Sequence, residues 1–345
     1  MRITMNIKTI LAAAAPRRPA TMNAAPEPAQ RRNSKATAGI IGGFIFAGAM
    51  CAASHAAVAE EPTGTLEKIR STGSITIGHR ESSIPFSYYD SNDKVVGYAM
   101  DLCYFAADAV KASLGLPKLD VKLVPVTPSG RIQSILNGTI DLECGTTTNN
   151  LGRQKVVAFS MTYFVAANRF MSKTAAKLRT LDDLKGKTVV STIGSTNLKQ
   201  ISELDAQRHL GLTILAAKDN GEAFRMLETD RADAFSMDDI LLYSRIAESA
   251  TPGEYTVSDE ALSVEPYGIM LRRDDPAFKK VVDDAMSALY RSGEIQKIYA
   301  KWFLAPIPPN GVNLNAPLSA SLKRVFEHPT DSGDPDAYQT GNNTQ

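Results

Sequence analysis

Residues 143–153 read Glu-Cys-Gly-Thr-Thr-Thr-Asn-Asn-Leu-Gly-Arg, directly after the strand-like run Thr-Ile-Asp-Leu at residues 139–142. The segment places a glycine beside three hydroxyls and ends in an arginine. Hydroxyl and backbone groups serve an ammonium or a carboxylate, and a guanidinium matches a carboxylate with two parallel hydrogen bonds. These residues suit the binding of a small zwitterion. They also fit an ordinary strand-to-helix turn rich in capping threonines, so both interpretations stay open at this point.

The composition predicts a globular protein without a nucleic-acid partner. The chain has 345 residues, which is enough for two domains. Hydrophobic residues make up 43% of it, which is enough to form a hydrophobic core in each domain. The 38 basic residues nearly balance the 37 acidic ones, so no strongly basic field indicates nucleic acid.

The N-terminal residues 1–59 are typical of a leader that ends in a secretory signal peptide. Basic residues at positions 31–35 precede an apolar, charge-free segment at residues 38–50, and small residues follow. We predict cleavage after Ala59, with cleavage after Ala56 as the second choice. A signal peptide implies a periplasmic protein.

Two alternatives to cleavage stay open at the N-terminus. The stretch at residues 36–59 nearly reaches the roughly 20 apolar residues that span a bilayer, so it fits a membrane anchor. Cys51 fits a lipoprotein, although Met50 before it is larger than the residue usual at that position.

Two cysteines, Cys103 and Cys144, remain in the mature chain. We expect the first on a helix and the second at the end of a strand. In an oxidising compartment they are able to pair. A buried free thiol is the alternative, and we favour it slightly.

The alternation of strands and helices predicts two α/β lobes. The first group of elements comprises strands at 74–78, 121–126 and 140–144 and helices at 98–114 and 131–136. The second comprises strands at 187–191, 213–216 and 232–237 and helices at 196–210 and 222–228. A helix-turn-strand unit at residues 132–141 recurs at 224–233, which favours two similar lobes over one long sheet. Ligands of such sheets bind beyond the carboxyl ends of the strands, so two facing lobes would share one cleft.

Several long runs of the sequence carry a family resemblance. They lie at residues 78–90, 143–155, 217–219, 237–239, 271–276 and 301–303. On these runs, which are spread over nearly the whole mature chain, the protein resembles the glutamate/aspartate-binding subgroup of periplasmic amino-acid-binding proteins. Those proteins are the solute receptors of ABC importers. The resemblance implies an α/β, two-lobed periplasmic-binding-protein-like fold of type II, with two sheets flanked by helices and joined by a two-strand hinge.

The resemblance also implies how the chain is threaded. The expected domains are the leader and signal peptide at 1–59, a discontinuous lobe 1 at 60–166 plus 267–345, and lobe 2 at 167–266. The chain would cross near residues 164–169 and return near 265–268. Later helices, including residues 283–289, would rejoin lobe 1, and ligand would bridge the closed cleft.

By resemblance, Arg153 binds the α-carboxylate of the ligand. Thr148 would assist it. Backbone amides of Ser195 and Thr196 would also assist, since exposed amides at a strand-to-helix turn favour an anion.

The α-ammonium would meet Asp238, with Thr146 and Thr148 completing its shell. An ammonium has three donors and prefers a carboxylate with further acceptors. The alternative role for Asp238 is to cap the helix that begins nearby.

The resemblance assigns the side-chain carboxylate of the ligand to Arg80 and Arg131. Two departures from the subgroup accompany them. Pro128 stands three residues before the second arginine, where the subgroup usually has serine, and Asn220 replaces a histidine that approaches the ligand. Asn220 still donates to a carboxylate but carries no charge.

The expected partners are L-glutamate or L-aspartate and the membrane permease of an ABC importer, and we expect a monomer. The four histidines are scattered, and no serine-histidine-acid order stands out, so we expect no catalytic site, metal or cofactor. An enzyme of the cyclohexadienyl or arogenate dehydratase type on the same fold is one alternative, because fold alone does not fix function. A receptor for a related polar amino acid such as glutamine is the other.

Overall fold

The structure, a computed structural model, describes residues 64–339. The predicted leader, signal peptide and cleavage sites lie outside the described residues, and so does Cys51. Among the described residues, no helix is both long and apolar enough to cross a bilayer.

Helices and strands alternate along most of the described chain. The helices are α1 (Gly64–Thr72), α2 (Tyr98–Ser113), α3 (Arg131–Leu136), α4 (Thr196–Arg208), α5 (Asn220–Glu228), α6 (Asp239–Glu248), α7 (Pro276–Ser292), α8 (Glu294–Phe303) and α9 (Ala320–Glu327). The strands are β1 (Ser74–His79), β2 (Ser82–Ser83), β3 (Ser87–Tyr89), β4 (Val95–Val96), β5 (Asp120–Pro125), β6 (Leu142–Cys144), β7 (Val157–Phe159), β8 (Phe164–Lys173), β9 (Thr188–Thr192), β10 (Thr213–Ala217), β11 (Ala234–Asp238), β12 (Tyr255–Val257), β13 (Ser263–Tyr267) and β14 (Met270–Arg272). Short 3-10 turns lie at Arg153–Lys155, Thr174–Ala176, Leu181–Leu184, Pro252–Glu254 and Pro335–Tyr338.

The first lobe is built on a sheet with strand order β5-β1-β6-β14-β7. Strand β1 is parallel to β5 and β6, whereas β14 is antiparallel to β6 and β7. Helix α2 contacts β1 and β6, and its buried residues include Leu102 and Ala106. Helix α7 comes late in the chain but packs against α2, so it belongs to the same core.

The second lobe is built on a sheet with strand order β10-β9-β11-β8-β12, and β13 also pairs with β8. Strand β9 is parallel to β10 and β11. The two sheets therefore share a pattern in which neighbouring parallel strands end at the same edge. This confirms the predicted two-lobed α/β fold, whose ligand cleft is expected at those strand ends.

Two antiparallel strands, β8 and β13, carry the chain between the lobes. Phe164 is opposite Tyr267 in their register, and the two rings stack with centroids 5.8 Å apart. Phe86 and Phe303 of the first lobe contact Phe164, which fixes the start of β8 in an aromatic cluster. The predicted lobe boundaries at residues 166/167 and 266/267 fall in or beside these strands and stay predictions.

The ends of several elements differ from those expected. Strand β6 begins at Leu142 rather than Ile140. The Asp141 carboxylate instead accepts hydrogen bonds from Lys68 Nζ and the Thr76 amide, which ties β1 to the segment before β6. Helix α5 begins at Asn220 because the Asp219 side chain caps it by accepting from the Glu222 amide at 2.8 Å.

Cys103 and Cys144 form a disulfide with Cα atoms 6.3 Å apart. The preference for buried free thiols is therefore wrong. Cys103 lies on the face of α2 that packs against β6, and that packing brings its side chain to the end of the strand.

Removing this disulfide is expected to lower the free energy of unfolding by about 2–4 kcal/mol, because a bridge restricts the unfolded chain. The two cysteines are separated by 41 positions. Urea unfolding of a Cys103→Ala/Cys144→Ala variant should give a lower midpoint than the oxidised wild type. A reductant should lower the wild-type midpoint and leave the variant unchanged; equal midpoints for both oxidised proteins would contradict the expectation.

Candidate functional site

A cleft between the two lobes contains about 300 Å3 of space outside protein atoms, part of which is open to solvent. It is lined by Arg80, Pro128, Arg131, Thr146, Thr148, Thr192, Ser195, Thr196, Asn197, Asn220, Met237 and Asp238. Most of these residues follow or end the parallel strands of either sheet. Every residue predicted for the ligand site except Arg153 lines this cavity, which we call the cleft cavity.

Two glycines allow the strand-end loops to come this close. A Cβ at Gly145 would lie 2.6 Å from Glu143 Oε1 and 2.7 Å from Arg80 Cγ. Gly194 has φ +78°, and a Cβ there would lie 2.6 Å from Ser129 Cα of the other lobe. Any larger residue at either position would force these groups apart.

Arg153 crosses between the lobes beside the cleft cavity. Its Nη1 donates to Thr148 O at 2.8 Å in the first lobe, and its Nη2 donates to Gly194 O at 3.2 Å in the second. Burial and the nearby Arg131 lower the pKa of Arg153 to about 10, so it stays charged at neutral pH. An anion placed beside it would offset the cost of burying that charge.

A second polar contact links the lobes at Thr148 and Thr196, whose hydroxyl oxygens lie 3.3 Å apart. The Thr196 hydroxyl also donates to Glu265 Oε2 at 2.8 Å. Thr196 is the first residue of α4, where a backbone amide has no carbonyl partner within the helix.

The Ser195 amide is already used in this structure, since it donates to Thr192 O at 3.1 Å. The Ser195 hydroxyl caps α4 by accepting from the Leu198 amide at 3.0 Å. The roles of the Ser195 and Thr196 amides toward a ligand stay predictions.

Asp238 is a buried carboxylate at the end of β11. It occupies the N-cap position of α6, but its side chain does not cap that helix. Asn197 Nδ2 donates to Asp238 Oδ1 at 2.7 Å, and the Tyr267 hydroxyl donates to Asp238 Oδ2. Burial and the neighbouring Glu265 raise the pKa of Asp238 to about 7 against the opposing effect of these two hydrogen bonds. A cation in the cleft cavity would favour the ionised form.

The cleft cavity is also lined by Arg80 and Arg131, which are 4% and 3% exposed. Arg131 Nη1 donates to Thr146 O at 3.4 Å and lies 4.0 Å from Glu143 Oε1. Burial and the like charge of Arg131 lower the pKa of Arg80 to about 10. Two buried guanidinium groups side by side strongly favour an anion between them.

Asn220 lies near the arginines in a fixed orientation. The Thr192 hydroxyl donates to Asn220 Oδ1 at 2.8 Å. This bond occupies the acceptor oxygen of the amide and leaves its NH2 group as a donor for the cleft cavity. We call the group formed by Arg80, Arg131, Asn220 and the underlying Glu143 the side-chain pocket.

Within residues 64–339, no group of three or more histidine, cysteine or acidic side chains is placed to hold a metal ion. The chemistry of the cavity is therefore described by its guanidinium, carboxylate, hydroxyl and amide groups. Two guanidinium groups and one carboxylate line the same cavity, which is complementary to a zwitterion that carries an additional negative charge.

Residues 75–305 match the family of bacterial extracellular solute-binding proteins, family 3. The matched segment is more than half of the chain. The chain belongs to this family. As a member it is a solute-binding protein rather than an enzyme, and its named relatives are binding proteins too.

Two relatives of this family 3 protein are similar over most of their length. The L-glutamate/L-aspartate-binding protein of Pseudomonas aeruginosa is 50% identical over 275 residues, which are 79% of this chain and 91% of the relative. The glutamate/aspartate import solute-binding protein of Escherichia coli is 46% identical over 267 residues, which are 77% of this chain and 88% of the relative. The solved structure of an ancestral arginine-binding protein bound to arginine aligns with a TM-score of 0.61 and 28% identity, over 67% of this chain and 98% of that one.

Several polar residues of this solute-binding protein were missed by sequence reasoning. They are Glu143, Thr192, Asn197, Glu265 and Tyr267, all buried in the structure. Glu143 gave a usable signal, since it is a carboxylate inside an apolar strand and therefore requires a partner. Thr192 and Asn197 line the cavity on the same turn as the predicted Ser195 and Thr196. Glu265 and Tyr267 come from β13, a distant segment, and carry no local signal.

Proposed function

We propose that this protein captures L-glutamate and L-aspartate between its two lobes in the periplasm and delivers them to the permease of an ABC importer. The observation that carries the proposal is the pair of buried guanidinium groups of Arg80 and Arg131, which line one cavity together with Asp238, with the half-buried Arg153 beside it. The names of relatives that are 46% and 50% identical support it.

The α-amino-acid group of the ligand is assigned to the end of the cavity where the lobes meet. Arg153 would bind the α-carboxylate with two parallel hydrogen bonds, assisted by the Thr148 hydroxyl and the Thr196 amide at the start of α4. Ser195 would contribute by holding the turn that presents this amide.

The ammonium is assigned to Asp238, with Thr146 and Thr148 as further acceptors. Asn197 and Tyr267 already orient both oxygens of the Asp238 carboxylate. An ammonium there would offset the cost of burying the ionised group.

The second carboxylate is assigned to the side-chain pocket, where Arg80 and Arg131 supply charge and Asn220 supplies a neutral donor. A neutral glutamine side chain would leave these buried cations without an anion. The pocket therefore favours an acidic side chain over its amide.

Capture requires both lobes, because Arg80, Arg131 and Arg153 belong to the first and Thr196, Asn220 and Asp238 to the second. A ligand that contacts all of them stabilises the closed arrangement through contacts that the open one lacks. We expect this closed form to be what the permease recognises.

Isothermal titration with a panel of amino acids tests the proposal. L-glutamate and L-aspartate should each bind one to one with Kd in the micromolar range or below, which corresponds to about 8 kcal/mol or more. Tight binding of histidine, arginine or leucine with no response to either acidic amino acid would refute it. Tighter binding of glutamine than of glutamate would instead favour the glutamine receptor.

A further inference from the structure

Three buried polar atoms within the side-chain pocket have no hydrogen-bond partner among the described residues. They are Arg80 Nε, Arg131 Nε and Glu143 Oε1. A buried polar group left unpaired is costly, so the grouping of these atoms in one place calls for a physical explanation.

Glu143 is held at the base of this group by the first sheet. It lies in β6 beside Gly78 of β1, and the residue that follows β1 by one position is Arg80. The Thr147 hydroxyl donates to Glu143 Oε2 at 2.5 Å, which leaves Oε1 4.0 Å from Arg131 Nη1. A Cβ on Gly145 would touch both Glu143 Oε1 and Arg80, so the carboxylate lies close to both arginines.

Glu143 does not itself reach the cleft cavity. Its exposure is 0%, and the cavity is lined by the two arginines instead. Any effect of Glu143 on the ligand therefore acts through the electric field and through the placement of the arginines. Glu143 is a positioning residue and not a ligand contact.

The charges in the side-chain pocket do not cancel. Arg80 and Arg131 contribute two positive charges, and Glu143 contributes one negative charge. Asp219 and Glu81, which are not part of the pocket, act on Arg80 more weakly than Glu143 does. We propose that Glu143 sets the net charge of the side-chain pocket to one positive charge and so matches it to an amino acid whose side chain carries one negative charge. This inference rests on the proposed function.

The proposal makes selectivity depend on a group that never touches the ligand. The carboxylate of Glu143 repels a negatively charged side chain but has little effect on a neutral one. Removing its charge should favour glutamate over glutamine, and should favour a dianionic side chain even more. A loss of packing alone would instead weaken all three ligands by the same factor.

Glu143→Gln is the direct test, because the amide keeps the shape of the carboxylate and its oxygen still accepts from Thr147. Titration should use L-glutamate, L-glutamine and the glutamate analogue that carries a phosphonate in place of the side-chain carboxylate. We expect the ratio of glutamine Kd to glutamate Kd to rise about tenfold or more relative to wild type. The affinity for the phosphonate should rise relative to the affinity for glutamate by a similar or larger factor.

Thr147→Val is the matched control, because it removes a hydrogen bond to Glu143 but no charge. Its ratio of glutamine Kd to glutamate Kd should stay within about threefold of wild type. A larger change there would assign the effect to geometry and overturn the proposal.

A charge-compensating pair keeps the test decisive if Glu143→Gln alone does not fold. Arg131→Met lowers the pocket charge to zero, and adding Glu143→Gln returns it to one positive charge. The double variant should therefore recover preference for glutamate over glutamine that Arg131→Met alone has lost. No recovery would overturn the proposal.

The same titrations separate this inference from the proposed function. Wild-type protein that binds neither glutamate nor aspartate overturns both. Wild-type protein that binds glutamate, combined with an unchanged ratio in Glu143→Gln, overturns only the role of Glu143. Thermal unfolding with and without glutamate checks that each variant is folded before its affinities are compared.

Discussion

Replacing Arg153 with alanine is expected to weaken the binding of every amino-acid ligand by about 3–5 kcal/mol, or roughly two to three and a half orders of magnitude in Kd. The reason is that the α-carboxylate is common to all of them and loses its charged partner. Arg153 also donates to Thr148 O at 2.8 Å and to Gly194 O at 3.2 Å, so the variant loses a connection between the lobes. Titration with glutamate and with glutamine should show equal losses.

Arg179→Ala is the matched control for this variant. Arg179 pairs with Asp259 and donates to Thr256 Oγ1 at 2.6 Å, on the second lobe and away from the cleft cavity. Glutamate affinity in this control should stay within about twofold of wild type. Near-wild-type affinity in a folded Arg153→Ala protein, checked by circular dichroism, would contradict the assignment of the α-carboxylate.

The position of the candidate site could be predicted because the sequence shows locally where an apolar strand ends and polar residues follow. Polar residues follow apolar strands at Arg80 and at residues 145–148, and parallel strands bring such ends together. Helix α3 begins at Arg131 as predicted, since the residues before it include Pro128 and Gly130 and interrupt regular structure. The roles of individual residues came from family resemblance rather than from these patterns.

The parts that could not be predicted depend on packing between distant segments. The pairing of Cys103 with Cys144 requires the distance between α2 and β6, which spacing along the chain does not fix. Likewise, Asn197 and Tyr267 reach Asp238 from α4 and β13. Local sequence predicts where a strand or helix ends but not which side chain from another segment completes its hydrogen bonds.

Asp238→Asn is expected to weaken glutamate binding by about 3–5 kcal/mol, because the ammonium loses a charged partner in a buried site. The amide keeps the size of the carboxylate and is able to accept from Asn197 or Tyr267, so the change is mainly one of charge. Titration of the variant with glutamate measures the loss. Asp238 should also make the glutamate affinity of the wild type depend on pH, and this dependence should disappear in the variant.

The direction of that pH dependence follows from the Asp238 pKa. Burial and Glu265 raise it to about 7 in the ligand-free protein, whereas an ammonium prefers the ionised form. Glutamate affinity of the wild type should therefore fall as the pH drops below about 7, by up to roughly tenfold per pH unit. Binding near neutral pH should release a proton, which titrations in buffers of different ionisation enthalpy detect.

The pH dependence of unfolding gives an independent measure of the ionisation of Asp238. The folded-state pKa of Asp238 lies above its ordinary value of 3.8, so between these values the folded protein binds more protons than the unfolded chain. Ligand-free protein then loses stability from this group as the pH rises through that window, and bound ammonium offsets the loss. The rise in melting temperature caused by glutamate should therefore be larger at about pH 8 than at about pH 5.

Asp239→Asn controls for the loss of a buried carboxylate at the neighbouring position. Burial also raises the pKa of Asp239, but its Oδ1 accepts from the Ala167 and Ile240 amides rather than facing the cleft cavity. This control should keep glutamate affinity at about pH 8 within about twofold and should keep the fall in affinity at lower pH. The fall should begin at a lower pH than in the wild type, because the charge of Asp239 contributes to the raised pKa of Asp238. Unchanged affinity in Asp238→Asn, or a pH dependence that survives there, would show that the ammonium has another partner. Glu265 would then be the next carboxylate to test, because it is buried, it raises the pKa of Asp238, and it is bonded to Thr196 of the cavity wall.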